Sequence, residues 1–215
     1  MARKLKSLAP EHLAALPGIC PGCVFWESAT PLEIACGSAC DDALLRTRYD
    51  EITREWGDCG KIATEDDEVL GMIKYAPPGY FPQAQHMPAG PPAPDVPLIA
   101  CIHIRDDARR HGLGSLLLRA AMRDLVTRGE RSVQAYACAS CADLTLQPVM
   151  GVEFLLRNGF NVARPHPSYP LLQLDLRALV TWADNLEAVL QSLRIPLRAP
   201  QRVPSPTTKC EPPRR

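Results

Sequence analysis

The chain has 215 residues, of which 46% are hydrophobic, 22% charged and 6% aromatic, and its 24 basic and 24 acidic side chains leave no formal net charge. That much apolar material excludes a chain disordered throughout, and the length suits one domain with extensions. The charge balance speaks against sequence-independent nucleic-acid binding, which draws on a basic excess to displace counterions from phosphates.

Residues 1–19 read as an N-terminal extension. They lack the continuous apolar run of a signal peptide or a membrane span before Pro17, so a cytoplasmic protein without a membrane partner is expected. Cys23–Glu27 (CVFWE) is a short β-prone run. Asp41–Trp56 places Leu44, Leu45, Tyr49, Ile52 and Trp56 at helical spacing. Lys61–Thr64 and Val69–Tyr75 flank the acidic turn Glu65-Asp66-Asp67-Glu68 and predict a β-hairpin.

Pro77–Pro97 is too rich in proline for a helix interior or a central strand, because proline has no N–H to donate. It reads as a long loop carrying Tyr80, Phe81 and His86, which is either functional or a decorative insertion. Leu98–Ile104 (LIACIHI) is nearly all apolar, as expected of a strand buried on both faces.

From Leu113, apolar residues recur at Leu116, Leu117, Ala120, Ala121 and Leu125, with Arg119, Arg123, Asp124 and Arg128 on the other face. Gly129 ends that helix. Ser132–Cys138 reads as a strand, Val149–Asn158 as a short helix and Leu171–Leu176 as another strand. Thr181 opens a capped helix lined by Trp182, Leu186, Val189, Leu190 and Leu193. The order of elements predicts an α/β or α+β fold around one mixed sheet, spanning 20–194, with a disordered Pro/Arg tail over 195–215.

Nine cysteines stand at 20, 23, 36, 40, 59, 101, 138, 141 and 210. The odd count without a secretion signal speaks against a disulfide framework. The spacing of Cys20/Cys23, Cys36/Cys40 and Cys138/Cys141 does not complete a structural zinc set, so no metal is expected and scattered thiols are the default. Cys20-Pro-Gly-Cys23 precedes a β-prone run, whereas a thioredoxin-like motif follows a strand and opens a helix.

The segment with chemistry in it is Arg109-Arg110-His111-Gly112-Leu113-Gly114, between the buried strand and the striped helix. Glycines at a helix N-terminus let backbone approach a ligand closely, and unpaired N–H groups with the helix dipole favour an anion. Arg109 and Arg110 add positive charge, so a phosphate or pyrophosphate is the natural guest. The P-loop pattern is absent. A dinucleotide fingerprint would need a third glycine where Leu117 stands and an acidic residue near Gln134.

Arg109, Gly112 and Gly114 resemble the pyrophosphate motif of the Gcn5-related (GNAT) acetyltransferases. Phe154-Leu-Leu-Arg-Asn-Gly-Phe160 resembles that family's F-Y-x-x-x-G-F signature, and Val69–Tyr75 resembles its third strand. The resemblance implies a mixed, mostly antiparallel sheet flanked by helices, splayed between Leu98–Ile104 and Ser132–Cys138 as fourth and fifth strands. It implies an N-acetyltransferase that passes an acetyl group directly from acetyl-CoA to the primary amine of a small molecule or a protein. Pantetheine would pair with Ile102, His103 and Ile104, and pyrophosphate with the loop from Arg109 and Arg110 through His111, Gly112, Leu113 and Gly114 to Ser115.

The family's usual acid and base positions hold Leu155 and Gln134. Direct transfer needs a group that takes the amine proton and one that protonates the thiolate. Glu153 and Tyr136 are the candidate substitutes, with His103 beside them. Loss of both usual positions keeps open a catalytically weak acyl-CoA sensor or scaffold. The acceptor and the oligomeric state, a homodimer included, are left open.

Overall fold

The computed structural model describes residues 3–18, 20–141, 144 and 147–177. The helix expected from Thr181, the tail and Cys210 lie outside the described residues. One sheet runs through the described chain in the order β1-β2-β3-β4-β5-β8-β7, with β6 pairing β5. Its strands are β1 (Lys4–Ser7), β2 (Gly60–Glu65), β3 (Glu68–Ala76), β4 (Leu98–Ile104), β5 (Ser132–Cys138), β6 (Met150–Gly151), β7 (Asn161–Arg164) and β8 (Leu171–Asp175). The helices are α1 (Asp42–Glu55), α2 (Leu113–Thr127) and α3 (Val152–Arg157).

Local chemistry accounts for most boundaries. The Asp41 side chain caps α1 by accepting from the Leu44 N–H at 2.9 Å. Asp66 and Asp67 take φ of 48° and 66°, giving the positive-φ pair that a two-residue hairpin between β2 and β3 requires. Neighbouring residues of β3 serve opposite faces. Met72 packs with α1 and the N-terminal segment, while Ile73 packs with α2 and α3.

Three expectations change. Cys23–Glu27 is a series of turns with a single bridge from Cys23 to Cys40, and its apolar side chains are there for burial: Phe25 and Trp26 are at most 1% exposed. The N-terminal extension contributes the edge strand β1, paired antiparallel with β2. The short helix begins at Val152, because Met150 and Gly151 pair in parallel with Ala137 and Cys138.

The Pro-rich loop is ordered cover. It makes two short 3-10 turns, Pro78–Tyr80 and Pro82–His86, and buries Phe81, Ala84, Met87 and Ala89 against the α1 side of the sheet. Loop carbonyls are held from outside the loop: Arg164 donates to the oxygens of Ala89 and Pro91 at 2.7 and 2.9 Å.

Candidate functional site

The site begins where the sheet fails to close. β3 pairs with β4 along its length, with one bulge that skips Ala100, but β4 and β5, which run parallel, pair only at Leu98/Gln134 and Ile99/Ala135. Beyond Ile99 the two strands part, and β5 takes β6 as its neighbour instead. The opening is a cleft of 220 Å³ with Ile102, His103 and Ile104 on one wall and Val149, Met150, Gly151 and Phe154 on the other. Arg109 and Gly114 stand at one end of it. A strand edge without a neighbour offers N–H and C=O groups to any ligand that can pair with them.

The loop from β4 to α2 is shaped by two positive-φ residues, Arg110 at 62° and Gly112 at 76°. Gly112 caps α2 without any side-chain hydrogen bond, so nothing of the cap itself occupies the first N–H groups of the helix. Gly114 keeps the cleft open. A Cβ there would lie 3.3 Å from Ile104 Cδ1 and 3.4 Å from Phe154 Cε2, across the gap between the two walls.

Arg109 braces the loop as well as charging it. Its Nε donates to the Ile104 carbonyl at 3.0 Å and lies 3.0 Å from Asp106 Oδ1. Arg110, His111 and Gly112 are exposed, while Ser115 is half-buried beside Gly114.

The candidate acid–base residues fall in different surroundings. Tyr136 is fully buried on the α1 side, stacked on Trp26, and its hydroxyl donates toward the carbonyls of Ala84 and Gly90 at 3.1 and 2.6 Å. Those bonds pin the Pro-rich loop, and Tyr136 does not line the cleft. Glu153 is exposed in the first turn of α3, next to the cleft-lining Phe154. Leu155, at the position of the family tyrosine, packs into the core between α3 and the sheet with no exposure. Gln134 is a strut, donating to Gln173 Oε1 at 2.9 Å and accepting from the Ala93 N–H at 2.8 Å.

His103 is different because it touches two spaces. It lines the cleft, and it also lines a cavity of 30 Å³ on the α1 side of β4. Burial lowers its pKa to about 4, helped by the Lys74 and Arg109 charges, so the imidazole is neutral at pH 7.

Behind it lies a buried ion pair, Lys74 Nζ donating to Glu27 Oε1 at 2.7 Å, with Glu27 3% exposed. The other carboxylate oxygen, Oε2, has no partner. No motif marks this pair, but each charge interrupts an otherwise apolar run, CVFWE and VLGMIKY. Such an interruption is a sign of a buried charge that must find an opposite one.

Cysteine chemistry also departs from expectation. Cys138 and Cys141 are joined by a disulfide, where scattered thiols were the default. Among the described residues no cluster of three or more His, Cys, Asp or Glu side chains is arranged to hold a metal ion.

Comparison with known proteins agrees with this geometry. Solved structures with the same fold include an N-acetyltransferase from Staphylococcus aureus Mu50, 16% identical with a TM-score of 0.55, covering 82% of this chain and 99% of that one. The loading GNATL domain of CurA from Lyngbya majuscula is 14% identical with a TM-score of 0.54, over 83% and 100% of the two chains. The PaiA N-acetyltransferase from Thermoplasma acidophilum, solved with coenzyme A, is 15% identical with a TM-score of 0.51, over 81% and 99%. No curated protein sequence matches the chain. The model of the acetyltransferase (GNAT) family matches residues 26–144, more than half of the chain, and takes in β2 to β5 with the loop and helix of the cleft. The protein belongs to the GNAT acetyltransferase family.

Proposed function

We propose that the protein transfers an acetyl group from acetyl-CoA directly to a primary amine. The observation that carries this reading is the parting of β4 from β5 after Ile99, which leaves a strand edge facing a cleft that ends at the N-terminus of α2, where the cap is a glycine without a side chain. In this reading the pantetheine amides pair with the β4 edge at Ile102, His103 and Ile104. The pyrophosphate rests on the N–H groups from Arg110 to Ser115, with Arg109 holding the loop in shape. An N–H near Ile102 then polarises the thioester carbonyl, a contact that gains strength as charge develops on the oxygen.

Proton transfer is assigned to His103 rather than Tyr136, whose hydroxyl is engaged by the loop. A neutral imidazole accepts the proton of the attacking amine as the tetrahedral intermediate forms. With a pKa of about 4 the resulting imidazolium is a strong acid toward the departing thiolate, whose ordinary pKa lies near 8.5. Glu153, exposed beside the cleft, is the remaining candidate for taking the extra proton of an acceptor that arrives as an ammonium. The burial of Leu155 and the engagement of Gln134 support a second reading, an acyl-CoA-binding scaffold that does not turn over.

The first test is thermal stability with acetyl-CoA, CoA and ATP side by side. A ligand at a hundredfold excess over its dissociation constant stabilises the fold by about 2.7 kcal/mol. Stabilisation by both CoA species and none by ATP is expected; no response to either CoA species sinks the reading. Free thiol release from acetyl-CoA in the presence of an amine panel, lost in His103→Gln, separates the enzyme from the scaffold.

A further inference from the structure

Five of the six free cysteines of the described residues line the cavity behind β4: Cys20, Cys23, Cys36, Cys59 and Cys101. They come from four separate stretches of chain, and their surroundings differ. Cys20, Cys59 and Cys101 are buried, whereas Cys23 and Cys36 are only half-buried. Cys23 and Cys36 face the same 30 Å³ cavity, and Cys36 Sγ lies 3.4 Å from His103 Nε2.

Backbone holds the two segments together. Cys23 bridges Cys40, the Val24 N–H donates to the Ala39 carbonyl at 3.1 Å, and the Asp41 N–H donates to Gly22 at 2.8 Å. The segment carrying Cys36 is thereby laced to the one carrying Cys23.

We propose that Cys23 and Cys36 are an oxidisable pair that reacts with hydrogen peroxide and closes to a disulfide, drawing the Cys36 sulfur away from His103. In the first step the Cys23 thiolate attacks one peroxide oxygen, the O–O bond breaks, and the hydroxide released takes a proton to become water. In the second step the Cys36 sulfur attacks the Cys23 sulfenic acid, and its thiol proton leaves with the hydroxyl as water. The two electrons lost by the two sulfurs are those gained by the peroxide.

Three observations favour this pair over the others. The neighbouring Cys36 thiol, opposed by burial and aided by the Gly37 and Phe25 backbone, holds the Cys23 thiol well below its ordinary value and so favours the thiolate. Burial pushes Cys59 up to about 11, Cys101 up to about 12 and Cys20 higher still, which leaves them unreactive. The cavity, at 30 Å³, has room for a molecule of one or two water volumes, and the partnerless Oε2 of Glu27 can accept a peroxide O–H there. A thiolate with half-exposed access and a resolving thiol beside it is the arrangement of redox-reactive cysteines. The pair is not the one the spacing suggests, since Cys20 of the C-x-x-C is buried with a raised pKa.

The test uses the full-length reduced protein with one equivalent of hydrogen peroxide, followed by alkylation of the remaining thiols and peptide mapping by mass spectrometry. A Cys23–Cys36 linked peptide, lighter by two hydrogens, is expected. In Cys36→Ser the Cys23 sulfenic acid persists and is trapped by dimedone; in Cys23→Ser no linkage to Cys36 forms. A Cys20–Cys23 linkage, or a Cys23 that stays fully alkylatable after peroxide, overturns the proposal. The His103 ring resonances should shift on oxidation of the wild type and stay unmoved in Cys36→Ser; a ring that ignores oxidation in the wild type overturns the link to His103.

Discussion

The cleft in front of β4 and the cavity behind it share His103 and little else. The cleft is bounded by strand edge, helix start, Arg109 and apolar side chains, and the binding proposed for it draws on backbone groups. The cavity is bounded by thiols, an ion pair and aromatic rings gathered from the N-terminal loop, α1, β3 and β4. A backbone site tolerates sequence change so long as the chain path holds. A side-chain site fails when any one partner is lost, and every test below turns on that difference.

The largest effect is expected behind β4. Glu27→Ala leaves the Lys74 ammonium buried without its counter-charge, and breaking a buried pair in this way costs about 3–5 kcal/mol. Chemical denaturation of the variant measures it. Replacing both partners by Glu27→Leu and Lys74→Met should cost clearly less, because no orphan charge remains. If the single and double variants are equally destabilised, the pair matters for its shape rather than its charge.

The same contrast explains what the sequence discloses. The cleft was legible because its chemistry is contiguous: a buried strand, then Arg109, Gly112 and Gly114, then an amphipathic helix, all within about thirty residues of chain. The hairpin and its acidic turn were legible for the same reason. The cavity was not, since Glu27 meets Lys74, and Cys36 meets His103, only through long-range packing that no local pattern encodes. Cys23–Glu27 misled because β-branched and aromatic content marks burial as readily as it marks a strand. β1 was missed because its four exposed residues carry no alternation to reveal it. Tyr136, read as a candidate acid–base residue, shows that a strand residue's facing cannot be fixed from the sequence when the strand is apolar on both sides.

The next effect sits on the wall between the two spaces. His103 moves from an ordinary pKa of 6.5 to about 4 on folding, chiefly through burial. Between those values the unfolded chain binds a proton that the folded chain refuses, so stability is fully present above pH 6.5 and is lost as pH falls toward 4. At 1.36 kcal/mol per unit the loss is about 3 kcal/mol. Equilibrium unfolding at a series of pH values gives this slope, and His103→Gln should flatten it by that amount. An unchanged slope in the variant means that His103 titrates in the folded protein near its ordinary 6.5, and the proton transfer assigned to it would then show a pH profile with that midpoint.

The smallest effect on stability should fall on the cleft, and it is the sharpest test of a backbone site. Gly112 caps α2 at a φ of 76°, where an L-residue is strained, yet an added Cβ would meet no atom within 4 Å. Gly112→Ala therefore costs only the left-handed backbone, about 1 kcal/mol, without a clash. The variant should fold, unfold a few degrees earlier and keep the reactivity of Cys23 unchanged, since no group behind β4 is touched. Its affinity for CoA should fall by more than its stability does, because relaxing the cap turns the first N–H groups of α2 away from the position proposed for the pyrophosphate. Calorimetric titration with CoA, set beside the melting temperature, separates the two quantities. If affinity and stability fall together by the same small factor, the loop holds its ligand through the Arg109 and Arg110 side chains, and the cleft is as dependent on side chains as the cavity behind it.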